Sequence, residues 1–260
     1  MCEDCEVLAI GPVVEEIGAS FDTFWNSDLA VPVEAFDIEV DPTELDSWRE
    51  YISIKADKSA KGIYAQAVNS TLLLDIREQR VTPEAAEAEL VTDTPDKLLT
   101  KIGDMELATL AAELGRRFRA AEREILIVTP YFVPQEYGLK TLEDILAKGV
   151  RVIIVTNSLA STNHVPVHSG YARYRKRLLQ AGAEMYEIRA DFIGKDTDWG
   201  HKPDRVTLHS KASIVDRETI FVGSLNFDPR SLLINTEMGL FIDSARVGGV
   251  FTQALLDSLP

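Results

Sequence analysis

The stretch LHSKASIVDRETIFVGSLNFD, residues 208–228, predicts a β-hairpin with a cluster of polar side chains at one end. Alternation along the first strand places His209 and Lys211 on the same face. Beyond the return strand, Ser224 and Asn226 stand two residues apart and project to a common side. The hairpin therefore gathers an imidazole, an ammonium group, a hydroxyl and a carboxamide. Three of these groups can donate hydrogen bonds to a phosphate, and the imidazole can attack it.

The spacing within this stretch is H-x-K-x4-D-x6-G-S-x-N, which fixes six letters. An ordinary amphipathic hairpin with a surface histidine and lysine is the plainer interpretation, and for a lone His-x-Lys pair it would prevail. Six fixed letters arise by chance in about one chain of this length in 10⁵. The pattern therefore favours a functional site over an ordinary hairpin.

Strands and helices alternate on the N-terminal side of the hairpin. Strands are predicted at 125–129, 150–156 and 184–188, and helices at 107–121, 139–148 and 171–181. From 206 to 243 the pattern changes to strand, turn, strand, loop and strand. Nearer the start, a strand is predicted at 7–10, a helix at 13–25 and a further strand around 90–92. The alternation predicts an α/β fold with a mixed, largely parallel β-sheet and helices on both faces.

The net charge of −15 comes from one end of the chain. The first 100 residues hold 22 Asp or Glu against 7 Lys or Arg, and the rest of the chain is balanced. The overall field therefore disfavours a nucleic acid partner, while a local positive cluster stays open. Composition excludes a disordered chain and a disulfide scaffold, because 45% of the residues are apolar and only two are cysteines. Cys2 and Cys5 lack the context of a redox or zinc motif, so we assign them no function.

The six fixed letters match the HKD motif of the phospholipase D superfamily without a departure. Three further stretches resemble bacterial cardiolipin synthases, closest to the C type: TPYFVP at 129–134, the segment 151–187, and GSLNFDPRSLLINTEMGLFI at 223–242. The resemblance runs through most of the chain and is weakest across 26–90. It implies a phospholipase D-like lobe that acts as a phosphatidyltransferase or phosphodiesterase in phospholipid biosynthesis.

The resemblance also assigns roles within the motif. In this superfamily the motif histidine attacks the phosphodiester phosphorus and forms a phosphohistidine, which gives His209 that role. It implies that Lys211 and Asn226 bind the phosphate oxygens, with Ser224 in the same catalytic set. No metal and no other cofactor is implied, because Lys211 and its counterpart supply the positive charge that a metal would.

Two carboxylates complete the implied catalytic set. The motif aspartate, Asp216, is mainly structural in this superfamily. A carboxylate downstream of the motif orients the imidazole, and by position that carboxylate is Glu237. We therefore expect Glu237 to hold the ring of His209.

The superfamily's site needs two such motifs, because a second histidine acts as general acid, and this sequence has one motif among its four histidines. Placing Asp4 on Glu237 aligns the start of the chain with the segment after the motif, and it places Val14 on Val247. This similarity predicts a fragment with three parts. They are residues 1–45, the tail of a truncated first lobe; 46–97, an acidic connector with peripheral elements; and 98–260, a second lobe truncated at its C-terminus. The missing first lobe or a homodimer mate would supply the second histidine.

Five residues outside the motif are candidates for binding substrate. Asn157 and His168 lie on the C-terminal side of a predicted strand, where α/β folds place ligand groups. Tyr131 lies in a loop stiffened by prolines, and core packing is an equal alternative for it. Tyr171 and Arg175 belong to a basic and aromatic helix. That helix is either a rim that meets anionic lipid headgroups or a solvated face whose tyrosines pack inward.

The expected substrates are phospholipids: phosphatidylglycerol, with phosphatidylethanolamine as an alternative donor. No apolar run approaches the roughly 18 residues that a membrane span needs. The start, MCEDCEVLAIG, has no basic region that would indicate a signal peptide. We therefore expect a peripheral protein on the bacterial cytoplasmic membrane surface. Two alternatives stay open: a single-motif phosphodiesterase of the nuclease type that works as a homodimer, and an inactive fragment.

Overall fold

The computed structural model of the chain describes residues 2–36, 41–59, 71–99, 109–191 and 206–259. Two compact units are present. The larger comprises Met1–Leu29, Ala86–Ile193 and Pro203–Pro260, and the smaller comprises Ala30–Ala85 and Gly194–Lys202. The HKD motif lies in the larger unit. The predicted boundaries at 45 and 97 stay a prediction.

The helices and strands of the described residues follow one another in a mixed order. The helices are α1 (Val13–Trp25), α2 (Pro42–Ser59), α3 (Thr71–Arg77), α4 (Thr109–Ala120), α5 (Gln135–Ala147), α6 (Val165–Ala181), α7 (Pro229–Leu233) and α8 (Ala245–Ser258), with 3₁₀ turns at Val33–Ala35 and Pro95–Leu99. The strands are β1 (Cys2–Glu3), β2 (Glu87–Thr92), β3 (Glu124–Val128), β4 (Arg151–Asn157), β5 (Glu184–Ile188), β6 (Thr207–Leu208), β7 (Ala212–Val215), β8 (Thr219–Gly223) and β9 (Met238–Asp243). The smaller unit contains α2, α3 and the first 3₁₀ turn.

Seven strands of the larger unit form one mixed sheet in the order β2-β9-β8-β7-β3-β4-β5. Parallel pairing is confined to β3, β4 and β5, where Ile125 lies opposite Val152. The other neighbours in the sheet are antiparallel. The short strands β1 and β6 pair with each other in parallel outside this sheet. The predicted α/β fold with a mixed sheet is therefore confirmed, but the sheet is not largely parallel, because the hairpin β7–β8 and the strands β9 and β2 add antiparallel pairs.

Helices cover both faces of the sheet, as the sequence predicts. Side chains of α4, α5 and α6 pack with Ile125 and Ile127 on one face. On the opposite face, α8 packs against Leu126 and Ile153. Every residue of β3 is buried, because successive side chains serve the two covered faces in turn. Among the described residues, no helix is long and apolar enough to pass through a lipid bilayer.

Two strand predictions differ from the structure. Residues 7–10 form no strand, and Val7 and Leu8 are exposed, because this segment pairs with no other strand of the described chain. The strand predicted at 206–215 is interrupted between β6 and β7 by residues 209–211. The two halves pair with different partners, since β6 lies beside β1 while β7 lies between β3 and β8. The interruption frees the segment around His209 from the ladder of the main sheet.

The helix predictions agree with the structure apart from their ends. The helix predicted at 13–25 is α1, with the same bounds. For the helix predicted at 107–121, the structure shows α4 from Thr109 to Ala120, and positions 107–108 lie outside the described residues. The helix predicted at 171–181 begins earlier, at Val165, because Pro166 suits the first turn of a helix.

Candidate active site

His209 lies in the irregular segment between β6 and β7, near the end of β3. Its Nδ1 atom lies 3.0 Å from Oδ1 and 3.3 Å from Oδ2 of Asp4. The side chain of His209 is 51% exposed, so an incoming phosphate can reach the ring. Because a carboxylate at Nδ1 fixes the ring and its tautomer, Nε2 is the nitrogen left for attack.

The carboxylate beside His209 is thus Asp4, whereas the sequence assigned the orienting role to Glu237. Glu237 is buried, and its Oε2 accepts a hydrogen bond from the Ser224 hydroxyl. Asp4 and His209 are 205 positions apart in the chain, so no local spacing indicates their contact. The internal similarity that aligns Asp4 with Glu237 is the one sequence signal that points to Asp4.

Lys211, Ser224 and Asn226 belong to the end of the hairpin that also carries His209. The backbone N–H of Gly223 donates to the carbonyl of Lys211 at 3.1 Å, which joins the two halves of the motif. The ammonium group of Lys211 donates to the carbonyl of His209. Oδ1 of Asn226 is buried and has no hydrogen-bond partner among the described residues. A buried polar atom without a partner is uncommon, and because an amide oxygen can only accept, a hydroxyl or N–H donor would be needed to complete it.

Gly223 is required by the close approach of β8 and β9. A Cβ atom at this position would lie 2.5 Å from the carbonyl oxygen of Met238 and 2.7 Å from Cα of Gly239. The absence of a side chain lets the backbone N–H of Ser224 donate to that same carbonyl at 2.9 Å. The motif glycine therefore fixes where Ser224 stands.

Asn157, at the end of β4, holds the strand that leads into His209. Its Nδ2 donates to the carbonyl of Leu208 at 2.9 Å, and its Oδ1 accepts from the backbone N–H of Leu208 at 2.9 Å. Oδ1 also accepts from the Ser161 hydroxyl at 3.0 Å. The Asn157 residue is only 2% exposed. The Asn157 amide, which the sequence predicts to bind substrate, therefore holds the backbone before His209 in place.

Asp216 lies at the opposite end of β7 from His209, in the turn to β8. Asp216 and Arg217 both adopt left-handed backbone conformations, with φ of 54° and 60°, as the two central residues of a type I′ turn require. The carboxylate accepts hydrogen bonds from the backbone N–H groups of Glu122, Arg123 and Glu124 at 2.7–2.9 Å. Burial of the carboxylate raises its pKa, but these three donors outweigh that effect and lower the pKa of Asp216 overall. Asp216 thus joins the hairpin to the start of β3.

We expect Asp216→Asn to lower the free energy of unfolding by about 1–3 kcal/mol at pH 7, because an amide replaces the charged acceptor of three N–H groups. The lowered pKa makes this contribution fully present above the unfolded-state value of about 3.9, and it is lost as the pH falls through the folded-state value. Denaturant unfolding at pH 7 and pH 3 checks the prediction. Asp144→Asn, at an exposed carboxylate, is the matched control. An equal deficit of Asp216→Asn at both pH values would contradict it.

Two further candidate residues, His168 and Tyr171, lie close to Asn157. His168, Asn157 and Tyr171 line one small cavity beside Pro130. Tyr171 is buried and donates its hydroxyl to Glu187 at 3.0 Å. Burial, and next the charge of Glu187, raise the pKa of Tyr171.

Arg175 and Tyr131 each bond to a neighbouring side chain. Arg175 donates to Glu187 at 2.6 Å, so Tyr171 and Arg175 share one carboxylate. The Tyr131 hydroxyl donates to Asn163 at 2.8 Å. Substrate binding by Tyr131, His168, Tyr171 and Arg175 stays a prediction.

Comparison with known sequences places the chain in a family. The family described as "Cardiolipin synthase, PLD-like domain" matches residues 114–256. Cardiolipin synthase C of Escherichia coli is 32% identical over 259 residues, which cover 98% of this chain and 54% of that protein. Cardiolipin synthase A of Pseudomonas aeruginosa is 30% identical over 140 residues, 54% of this chain and 25% of that protein.

A further relative shows the same extent of similarity. An uncharacterized protein of Helicobacter pylori is 28% identical over 93% of this chain and 47% of its own length. The chain therefore spans about half the length of the relatives that it matches along most of its own sequence. The resemblance to the C type is confirmed, since that similarity extends through nearly all of the chain. The chain belongs to the cardiolipin synthase family of phospholipase D-like domains.

Proposed function

We propose that this chain carries one half of a phospholipase D-type active site, which transfers a phosphatidyl group between phospholipids and forms cardiolipin. The observation that carries the proposal is the pairing of His209 with Asp4, beside Lys211 and Asn226 at one end of the hairpin. An exposed imidazole with a carboxylate at one nitrogen is a nucleophile with a stabilised cationic form. The family membership supports a phospholipid as the substrate.

In the first step, Nε2 of His209 attacks the phosphorus of the donor phosphodiester. A nitrogen–phosphorus bond forms, the bond between phosphorus and the headgroup oxygen breaks, and that oxygen takes a proton from a general acid. Lys211 and Asn226 donate hydrogen bonds to the phosphoryl oxygens as charge develops. Asp4 stabilises the positive charge that the ring acquires.

In the second step, a hydroxyl of phosphatidylglycerol attacks the phosphohistidine and loses its proton to the group that acted as general acid in the first step and is now deprotonated. The nitrogen–phosphorus bond breaks, and the new phosphodiester leaves His209 ready for another cycle. When the donor is also phosphatidylglycerol, the products are cardiolipin and glycerol. Phosphatidylethanolamine as donor would release ethanolamine instead.

The general acid is expected to be a second histidine from a complementary half. A second H-x-K pattern does not occur in this sequence. A first lobe with its own motif, or a second copy of this chain, would bring the second imidazole opposite His209. General acid catalysis of this kind contributes roughly 10²–10⁴ in rate. We therefore expect the chain alone to have little or no activity.

The reaction requires a site at a membrane surface, and α6 offers a basic face for it. Arg173 and Lys176 are exposed one turn apart on this helix, and Leu179 follows them at 50% exposure. Basic side chains near an anionic leaflet each contribute on the order of 1 kcal/mol. We infer peripheral binding to the bacterial cytoplasmic membrane through this face.

The function is tested by incubating the purified chain with phosphatidylglycerol vesicles, with and without a separately expressed first lobe. Cardiolipin formation and the mass of the protein in solution are measured together. We expect cardiolipin when the first lobe is added, or from the chain alone if it forms a twofold pair. Robust synthesis by a strict monomer would contradict the two-histidine mechanism. Release of nucleotides from DNA without any cardiolipin would favour the nuclease-type alternative, which the single motif also suits.

The complemented protein is the chain mixed with the separately expressed first lobe. Asp4→Asn is expected to lower its kcat by about 10- to 100-fold, because the amide keeps the contact but neither fixes the tautomer nor stabilises the charged ring. Glu6→Gln, two residues along the same segment, is the control. Unchanged turnover in Asp4→Asn would show that another group orients His209.

A further inference from the structure

Asp93 and Lys97 form an enclosed ion pair in the larger unit. Nζ of Lys97 lies 2.7 Å from Oδ2 of Asp93, and their side chains are only 6% and 1% exposed. No other ion pair between described residues is as enclosed. Burying two charges is unfavourable unless each of them finds several hydrogen-bond partners. The hydrogen-bond partners of this ion pair therefore indicate its role.

Asp93 holds the backbone of Glu237 on both sides. Its Oδ2 accepts from the backbone N–H of Glu237 at 3.1 Å, and its own N–H donates to the carbonyl of Glu237 at 2.9 Å. The other carboxylate oxygen accepts from the N–H of Leu110 in the first turn of α4 at 3.2 Å. Because the Glu237 side chain in turn accepts from the Ser224 hydroxyl, Asp93 reaches the motif through one intermediate residue.

Lys97 holds the segment that follows Asn226. Its ammonium group donates to the carbonyl of Ser231 at 3.0 Å. Ser231 belongs to α7, which begins three residues after Asn226. The Asn226 amide has a buried oxygen without a partner among the described residues, so its placement depends on the backbone to which it is attached. The ion pair is thus connected to Ser224 through Glu237, and to the segment that follows Asn226 through Ser231.

We propose that Asp93 and Lys97 are positioning residues of the active site, which set the backbones of Glu237 and α7 and thereby place the Ser224 hydroxyl and the Asn226 amide. Neither residue touches the reacting atoms. The effect of this positioning on catalysis rests on the proposed function of the motif. Both residues precede the segment 114–256 that the family shares, so this part of the site is contributed by β2 and the turn after it.

Positioning requires hydrogen bonds in particular directions, whereas simple packing requires only that the space be filled. An apolar pair of similar volume would fill the same space and could stabilise the fold as well as the ion pair does. It could not accept from Glu237 and Leu110 while donating to Ser231. Loss of these directed bonds should therefore change the geometry of the motif even where the global stability is preserved.

Lys97→Met tests the proposal, because it keeps the length of the side chain and removes the donor to Asp93 and Ser231. The double variant Asp93→Asn, Lys97→Met leaves no buried charge and serves if the single variant folds poorly. Val152→Ala is the control for lost stability, since Val152 is buried in the sheet opposite Ile125, at the end of the sheet remote from Ser224 and Asn226. Amide hydrogen exchange measured by NMR reports on the backbones of Glu237 and Ser224. Turnover of phosphatidylglycerol by the complemented chain reports on catalysis.

Exchange at Glu237 and Ser224 is expected to be about tenfold faster in Lys97→Met than in Val152→Ala at matched global stability. We expect kcat to fall by about 10- to 100-fold with KM changed less than twofold. Equal exchange, or equal kcat, in the two variants at matched stability would overturn the proposal. If the wild-type protein turns over no phosphodiester, the proposed function fails, while the exchange rates still decide whether the ion pair positions the motif.

Discussion

His209→Ala is expected to reduce phosphodiester turnover by the complemented protein about 10⁴-fold or more. The imidazole would form the covalent bond to phosphorus, and Lys211 and Asn226, which would donate hydrogen bonds to the phosphate, cannot replace it as a nucleophile. The remaining turnover would come from the preorganised donors alone. Cardiolipin formed from phosphatidylglycerol vesicles per unit time, at saturating lipid, is the measurement.

The control for this variant must show that the fold is intact. The thermal unfolding midpoint of His209→Ala should stay close to that of the wild type, because the ring is about half exposed and the Asp4 carboxylate beside it is also well exposed. Wild-type turnover by His209→Ala would show that a different group attacks the phosphorus.

Lys211→Ala and Asn226→Ala are each expected to lower kcat by about 10²–10³, which is the effect of removing one preorganised donor from a developing negative charge. The kinetic constants of the complemented protein check this prediction. Lys140→Ala is the matched control for the lysine, since Lys140 is exposed on α5 and pairs with Asp144. A rise in KM with kcat unchanged would mean that these groups bind the ground state and the transition state equally well.

The hairpin that carries the motif could be predicted from the sequence because its determinants are local. Alternation indicates β7 and β8, and the DRET segment indicates the turn in which Asp216 and Arg217 adopt left-handed backbones. The interruption between β6 and β7 could not be predicted in this way. It depends on Asn157, which lies 51 positions from Leu208 in sequence and fixes the backbone before His209.

The orienting carboxylate shows the same limit for the active site. The position of Glu237 shortly after the motif predicts that its carboxylate orients the His209 ring. In the structure, that carboxylate accepts a hydrogen bond from the Ser224 hydroxyl instead. Asp4 reaches His209 from the other end of the chain. The strand predicted at 7–10 fails for a related reason, because an apolar run becomes a strand only where a neighbouring edge accepts its hydrogen bonds.

The proposed mechanism requires that His209 become covalently attached to the phosphorus of the lipid. The most direct test is to mix the complemented protein with phosphatidylglycerol, quench within one turnover, digest the protein and locate the modified peptide by mass spectrometry. We expect a phosphatidyl adduct on His209 that is labile in acid and stable in base, and that is absent from His209→Ala. An adduct on another residue, or cardiolipin formed without any adduct during the first turnover, would contradict it.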